Sequence, residues 1–388
     1  MSPASALPRI HWTQDGTERD ALWRSEAAVP PPKRVVMADD RMPADQAYKL
    51  ACEGTALLWC GDFQNARHLL QALMRRLDRK PARHKPAAAT TATQAFHQHR
   101  QLQGQRAHIL GMVLIPFEAD HRIPLRRAPD AQQACLEAYG PGSEPYVASL
   151  RELLGLIGAH EWRKKGVEIP ALQDRIHAHY GVFSPVRGEY VDLVAQAPLP
   201  DKTLAFDIGT GSGVLAAVLA KRGVQRIVAT DQSDRALACA QDNLTRLKLQ
   251  PQVELQKVDL FPEGRAPLVV CNPPWVPAKP SSPIEYAVYD PDSAMLKGFL
   301  SGLAAHLTPQ GEGWLILSDL AEHLGLRSRE DLLGWIAAAG LQVTGRQDIR
   351  PRHPKASDPS DPLHRARAAE VTSLWKLAPV RKDESLVA

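Results

Sequence analysis

Long apolar runs are missing from this chain. Nowhere do eighteen uninterrupted apolar residues occur, and the opening stretch MSPASALPRIHWTQDGTERD has no continuous apolar segment. A membrane span and a secretory leader are not expected, and a cytoplasmic location is. Cysteine is scarce as well. The five, at positions 52, 60, 135, 239 and 271, are an odd number with no C-x-x-C pair, and no histidine cluster at zinc spacing accompanies them. Neither a disulfide framework nor a metal site is expected, and the thiols read as reduced core fillers. Net charge is small, +4, but it is unevenly spread: residues 63 to 127 hold twelve Lys and Arg against three acids, Asp78, Glu118 and Asp120. Such an excess suits contact with nucleic acid or an acidic surface, and it suits a solvated helix face equally well.

What is present is enough chain for two domains, 388 residues. Residues 1–40 are polar and Pro-rich (AAVPPPKR) and read as a partly ordered tail. Residues 41–180 read as a mainly helical domain for substrate recognition. In FQNARHLLQALMRRL, Phe63, Ala66, Leu70, Leu73 and Leu77 recur at spacings of three and four, with Asp62 as N-cap. Arg67, Arg75, Arg76, Arg79 and Lys80 fall off that stripe. PARHKPAAATTATQA (81–95) reads as an exposed loop, GMVLIPF (111–117) as a strand or a buried helical turn, and ALQDRIHAHY (171–180) as helical.

From residue 181 short β-rich runs alternate with amphipathic helices. That alternation predicts a doubly wound, mostly parallel α/β sheet. Seven strands are expected, at 204–208, 226–231, 252–258, 267–271, 313–318, 341–348 and 370–377. The last two have no helical pattern between them and read as a closing antiparallel pair.

FDIGTGSGVLAAVLA (206–220) runs from strand through a glycine turn into a helix. Without Cβ atoms at Gly209, Gly211 and Gly213 the chain turns tightly, and a nucleotide-like ligand can approach its backbone. The spacing is G-x-G-x-G rather than the dinucleotide G-x-G-x-x-G, with Asp207 directly before it. A carboxylate there repels pyrophosphate and suits a cationic amino-acid moiety. Asp231 ends the second strand and can accept ribose hydroxyls, while Asp259, after the third, can accept a hydrogen bond from an adenine amine. Thr210 inside the loop, Leu260 beside Asp259 and Asn272 after the fourth strand complete the cofactor-binding candidates.

On these residues, D-I-G-T-G-S-G (207–213), Asp231, Asp259 and N-P-P-W (272–275), the segment 204–275 resembles the class I S-adenosylmethionine-dependent methyltransferases. The resemblance implies a Rossmann-like fold whose final strand is antiparallel and S-adenosyl-L-methionine as cofactor. Asp207 and the glycine loop would then hold the methionine part, Asp231 the ribose and Asp259 the adenine. Asn272, Pro273, Pro274 and Trp275 resemble the N-P-P-[YFW] motif, which implies that the acceptor is a planar nitrogen. Its lone pair is delocalised, so it is a weak nucleophile. The Asn272 side-chain oxygen and the Pro273 carbonyl can both accept hydrogens from one NH₂ group and aim its lone pair at the methyl. Pro273 and Pro274 stiffen the turn, and Trp275 offers a face for a flat group.

YAVYDPDSAMLKGFLSGL (286–303), with Tyr289, Asp290, Pro291, Ala294, Met295 and Gly298, resembles the segment after N-P-P-Y in HemK-type protein-glutamine methyltransferases, which modify release factors. GVFSPVRGEYVDL (181–193) resembles instead the lead of "small domain" rRNA guanine methyltransferases, and makes Phe183, Pro185 and Arg187 candidates for a lid. A protein glutamine is slightly favoured over the exocyclic amine of an RNA base, guanine N2 or adenine N6. Arg350, Arg352, His353, Lys355, His364, Arg365 and Arg367 form a cationic loop that could touch phosphate or stay solvated. Cys271 reads as a buried hydrophobe, and His160 and His323 as structural or exposed. A nicotinamide-dependent oxidoreductase would need the glycine loop but not N-P-P-W, and an inert RNA-binding factor would need neither.

Overall fold

The computed structural model describes residues 7–79, 89–186, 188–281, 283–352 and 358–380. The chain forms two compact units, one of residues 1–90 and 97–161, the other of 91–96 and 162–388.

The first unit holds a six-stranded mixed sheet, which replaces the expected tail with strands and adds a sheet to the segment expected to be mainly helical. Its strands are β1 (Arg9–Gln14), β2 (Thr17–Trp23), β3 (Arg34–Ala38), β4 (Thr55–Trp59), β5 (Val113–Phe117) and β6 (Tyr146–Ser149), in the spatial order β1-β2-β6-β5-β4-β3. Asp15 and Gly16, both at positive φ, close the β1–β2 hairpin as a two-residue turn. β3, β4 and β5 are parallel neighbours, joined by crossovers that carry α1 (Ala44–Cys52), α2 (Phe63–Arg79) and α3 (Ala92–Leu110). The helical stripe of α2 is as expected, with Phe63, Ala66, Leu70 and Leu73 buried and the Asp62 carboxylate accepting the Gln64 N–H. Of the expected loop 81–95, residues 81–88 lie outside the described residues and α3 occupies the end. α4 (Gln132–Tyr139) and α5 (Leu150–Lys165) follow.

The second unit opens with a hairpin, β7 (Val167–Ile169) against β8 (Asp174–Ile176), where the sequence suggests a helix. Leu172 and Ile176 do sit four apart and are both buried, but Gln173 takes a left-handed turn between them, at φ 53°. α6 (Glu189–Gln196) leads into a seven-stranded sheet. Its strands are β9 (Leu204–Ile208), β10 (Arg226–Asp231), β11 (Val253–Lys257), β12 (Ala266–Cys271), β13 (Leu307–Ser318), β14 (Leu341–Ile349) and β15 (Thr372–Pro379), ordered β11-β10-β9-β12-β13-β15-β14. Only β15 runs against the common direction of the other six strands. All seven expected strands are found, although β13 begins at Leu307 and a short helix, α12 (His364–Ala369), stands between β14 and β15.

Alternation along each strand divides the apolar residues between two cores. Ala205, Ile227, Ala229, Leu268 and Val270 face α6, α7 (Val214–Lys221) and α8 (Asp234–Arg246). Phe206, Ile208, Val228, Val269 and Cys271 face α9 (Ala294–His306) and α11 (Arg329–Ala338), with the short α10 (Leu320–His323) between these two helices in the chain. Helices on both faces bury the central strands, so β9, β10, β12 and the second half of β13 read as largely apolar runs. Among the described residues no helix is long and apolar enough to cross a membrane.

Candidate cofactor and acceptor site

β9, β10, β11 and β12 are parallel neighbours, so their carboxyl ends share one edge of the sheet. The glycine turn leaves β9 there. Gly209, Gly211 and Gly213 all hold positive φ, 70°, 55° and 78°, which L side chains adopt only at a cost. Their surroundings differ. A Cβ on Gly209 would stand 2.6 Å from Met295 Cε and one on Gly213 3.1 Å from Ala240 Cβ, whereas one on Gly211 would meet nothing within 4 Å. Two of the glycines let neighbouring elements close in, and Gly211 leaves its backbone open to approach.

Asp207 is 1% exposed, and its Oδ2 accepts the Thr210 hydroxyl at 2.6 Å and the Ala216 N–H at 3.1 Å. Burial pushes its pKa up to about 6, against those two hydrogen bonds, and the neighbouring Asp231 adds to the rise. The sequence reading gives Asp207 direct contact with a cationic group. Its carboxylate instead turns inward, because Asp207 shares the strand face of Ala205 beneath α7, and it braces the loop from below. Asp231 holds the loop from the side: Oδ2 accepts the Gly211 N–H at 3.1 Å and Oδ1 the Ser233 N–H at 2.9 Å. Burial raises its pKa too. A carboxylate has about four acceptor positions, so both oxygens can take further donors.

Asp259 is exposed at the tip of β11. Leu260 beside it holds φ 64°, and its carbonyl accepts the Thr230 hydroxyl at 2.6 Å. Its side chain fills the space that Gly298 leaves on α9, where a Cβ would come within 2.7 Å of Leu260 Cδ1. Gly302 makes the same room for Phe261 one turn later, at 2.5 Å.

β12 pairs with β9 so that Cys271 stands level with Ile208, which brings Asn272 out beside the glycine turn. Asn272 Oδ1 accepts the Trp275 indole N–H at 2.9 Å. An indole only donates, so it selects the oxygen of the carboxamide and leaves that oxygen a second lone pair. Trp275 is less of an open platform than the motif suggests: its ring is half-buried and wedged among three apolar clusters. Its carbonyl accepts from the guanidinium of Arg327 at 3.4 Å, which also reaches the Ser318 carbonyl at 3.3 Å. Arg327 is 5% exposed, and burial pushes its pKa down. Cys271 is fully buried with its thiol pushed up by desolvation, as befits a small hydrophobe.

Downstream, the carboxylate of Asp290 accepts the Met295 and Leu296 N–H groups at 3.0 and 3.1 Å and so caps α9. The Asp290 N–H donates to the Val276 carbonyl at 2.9 Å, and the Val276 N–H to the Val288 carbonyl at 3.1 Å. The acid of the downstream stretch therefore fixes a helix start and stitches it to the N-P-P-W loop. Arg327 carries no motif, and neither does Phe96, which packs against Val276; sequence reasoning misses both.

The lid candidates are less informative. Phe183 is half-buried against the α6 and α7 core, Pro185 is buried, and Arg187 lies outside the described residues. In the cationic loop, Arg352 donates its N–H to Glu189 at 2.6 Å and Arg367 pairs with Asp361 at 2.8 Å, while His353 and Lys355 lie outside the described residues. Within the basic zone, Arg76 pairs with Asp45, Arg106 with Asp78 and Arg122 with Asp120, while Arg126 and Arg127 share the buried carboxylate of Asp62. The Arg127 hydrogen bond first, then the Gln64 N–H and Arg126, hold that carboxyl at about 2. Lys80 lies outside the described residues. A cavity of about 430 Å³ is lined by Leu204 and Arg226 at the starts of β9 and β10 together with Arg265 and with Val258 and Phe261, which flank Asp259 and Leu260.

Residues 174–325 match the family described as methyltransferase small domain. The chain is 31% identical over 170 residues to the release factor glutamine methyltransferase of Cereibacter sphaeroides, covering 40% of this chain and 58% of that protein. It is 36% identical over 138 residues to the release factor glutamine methyltransferase of Mycobacterium tuberculosis, covering 32% of this chain and 44% of that protein. The chain spans about half the length of these relatives. The tRNA1(Val) (adenine(37)-N6)-methyltransferase of Serratia proteamaculans is 30% identical over 194 residues, covering 45% of this chain and 70% of that protein.

Proposed function

The chain belongs to the class I S-adenosylmethionine-dependent methyltransferases of the N-P-P-[YFW] type, and from that premise we propose that it methylates the side-chain amide nitrogen of a glutamine in a protein of the release-factor kind. The observation that carries the chemistry is the pairing of β12 with β9, which sets Asn272 beside the glycine turn.

The residues present fit S-adenosyl-L-methionine. Gly211 leaves open backbone where any side chain would intrude, and carboxylates stand at the tips of β10 and β11 for ribose and adenine. Once bound, the cofactor supplies an electrophilic sulfonium methyl. Asn272 Oδ1 and the Pro273 carbonyl accept the two hydrogens of the acceptor NH₂, raising electron density on its nitrogen and fixing its lone pair toward that carbon. The Trp275 N–H keeps the Asn272 oxygen, rather than its amide nitrogen, turned to the acceptor. The amide becomes acidic once it is alkylated, so its proton can leave to water afterwards and no buried base is required.

A glutamine is favoured over an RNA base by charge. The segment after the motif holds Lys279 and Lys297 against Glu285, Asp290 and Asp292, a poor neighbourhood for phosphates. Five of the twelve cations of the basic zone, Arg76, Arg106, Arg122, Arg126 and Arg127, are held in ion pairs. The second reading, an exocyclic base amine, draws support from the tRNA-modifying relative and from Arg75 and Arg79, exposed on α2. A cytoplasmic location goes with either acceptor.

The test uses cofactor labelled in its methyl group and an extract from cells lacking this activity. Label lost to protease and kept through ribonuclease supports the glutamine reading. Label lost to ribonuclease instead moves the acceptor to RNA and overturns it.

A further inference from the structure

From Asn272 to Ser281 the backbone carries no regular structure beyond the single bridge of Val276 to Tyr289. Two prolines stiffen the start of this loop. Hydrogen bonds from Val288, Asp290 and Arg327 hold the Trp275–Val276 backbone, and apolar packing that includes a residue from far upstream adds to them. Phe96, 3% exposed, lies in one apolar cluster with Val276, Leu324, Leu363 and Ala366, against which Ala278 and Tyr289 also pack. Its ring meets Tyr289 edge-on, with centroids 6.4 Å apart. Thr93 fastens the same turn: its hydroxyl lies 2.9 Å from the Leu324 carbonyl and 3.2 Å from that of Gly325, acceptors left open where α10 ends. A Cβ on Gly325 would come within 2.6 Å of Thr93 Oγ1. Residues 91–96 thereby count within the second unit, although the chain between 97 and 161 belongs to the first.

We propose that Phe96, seated by Thr93, is a positioning residue for the acceptor loop, pressing Val276 so that Trp275 and Asn272 keep the geometry that receives the planar nitrogen. The proposal rests on the N-P-P-W loop being the acceptor loop. Phe96 touches neither acceptor nor cofactor; it acts through Val276. Loss of the ring leaves Val276 without its partner on one side, and the irregular loop relaxes into the space. The glycine turn has its own braces in Asp207 and Asp231 and stays as it is.

The experiment uses the full chain labelled with 5-fluorotryptophan, with the Trp275 resonance assigned by its absence in Trp275→Phe. In Phe96→Ala that resonance is expected to shift and broaden, cofactor affinity by calorimetry to stay within about twofold, and kcat to fall about tenfold or more, as a misplaced reacting group requires. Phe96→Leu, which refills most of the volume, is expected to restore both signals. Thr93→Val keeps the shape and removes only the hydroxyl, so it gives a smaller change of the same kind and carries the test if Phe96→Ala does not fold. An unmoved Trp275 resonance with unchanged kcat overturns the proposal, and so does a parallel loss of cofactor affinity. The fluorine measurement needs no acceptor, and kcat is taken on whichever macromolecule accepts the label. A wrong acceptor class and a wrong role for Phe96 therefore fail separately.

Discussion

At the tips of β9 and β10 the hydrogen-bonded braces run among the motif turns themselves: Thr210 to Asp207, Gly211 to Asp231 and Thr230 to Leu260. At the tip of β12 the neighbours come from elsewhere, Arg327 on the Trp275 carbonyl and Phe96 on Val276. One half of the edge is specified by a motif and its immediate surroundings. The other adds to its own Asn272–Trp275 hydrogen bond side chains that share no motif with it. A short motif can carry a cofactor site from fold to fold, whereas an acceptor site needs the rest of the chain to hold it.

Crossed substitutions at Asn272 and Asp231 break this comparison most sharply. Asn272→Ala is expected to lower turnover about a hundredfold, the scale seen when one preorganised transition-state partner is removed, with cofactor affinity unchanged. Asp231→Ala is expected to weaken cofactor binding tenfold or more, since hydrogen bonds to a charged acceptor are worth about 1.5–3 kcal/mol. Calorimetry and single-turnover rates separate the two. Loss of cofactor affinity in Asn272→Ala would merge the two halves.

The next largest effect concerns Asp207. Its pKa rises from 3.8 unfolded to about 6 folded, so between those values the folded chain binds more protons and stability falls as pH rises. Above about pH 6 the full penalty is in force, at most about 3 kcal/mol; below about pH 4 it is absent. Asp207→Asn removes the charge while an amide oxygen can still accept from Thr210 and Ala216. Urea unfolding without cofactor should therefore show the variant gaining on the parent chain between pH 4 and pH 7. A constant difference would mean that Asp207 is not desolvated as the structure has it.

The smallest expected effect lies within the glycine turn. Gly211→Ala and Gly213→Ala share the strain of a left-handed backbone, but only the second presses on Ala240. Gly213→Ala should be the less stable by about 1 kcal/mol, the low end of overpacking costs. Gly211→Ala should lose more cofactor affinity, because its methyl enters the open approach. The reverse order would place the cofactor elsewhere.

The second sheet was legible because its central strands are apolar on both faces and its turns carry glycine and carboxylate signals at their ends. The first sheet was not. β1 and β2 are mostly exposed, so their composition imitates a tail, and the only mark of the hairpin is Asp15-Gly16. β4 is five buried residues, four of them an apolar run, that periodicity alone cannot tell from a helical turn. Within the site, Gly298 was legible as a matching position but not as room for Leu260, and Trp275 as an aromatic but not as the donor to Asn272. Phe96 sits beside a low-complexity stretch with nothing in its neighbourhood to mark it.

Fragment mass spectrometry of the methylated acceptor tests the central claim most directly, by locating the atom that takes the methyl. A loop that aims a delocalised lone pair predicts the methyl on the carboxamide nitrogen of a glutamine. A methyl on a lysine amine or a carboxylate oxygen, whose lone pairs need no such aiming, would contradict it.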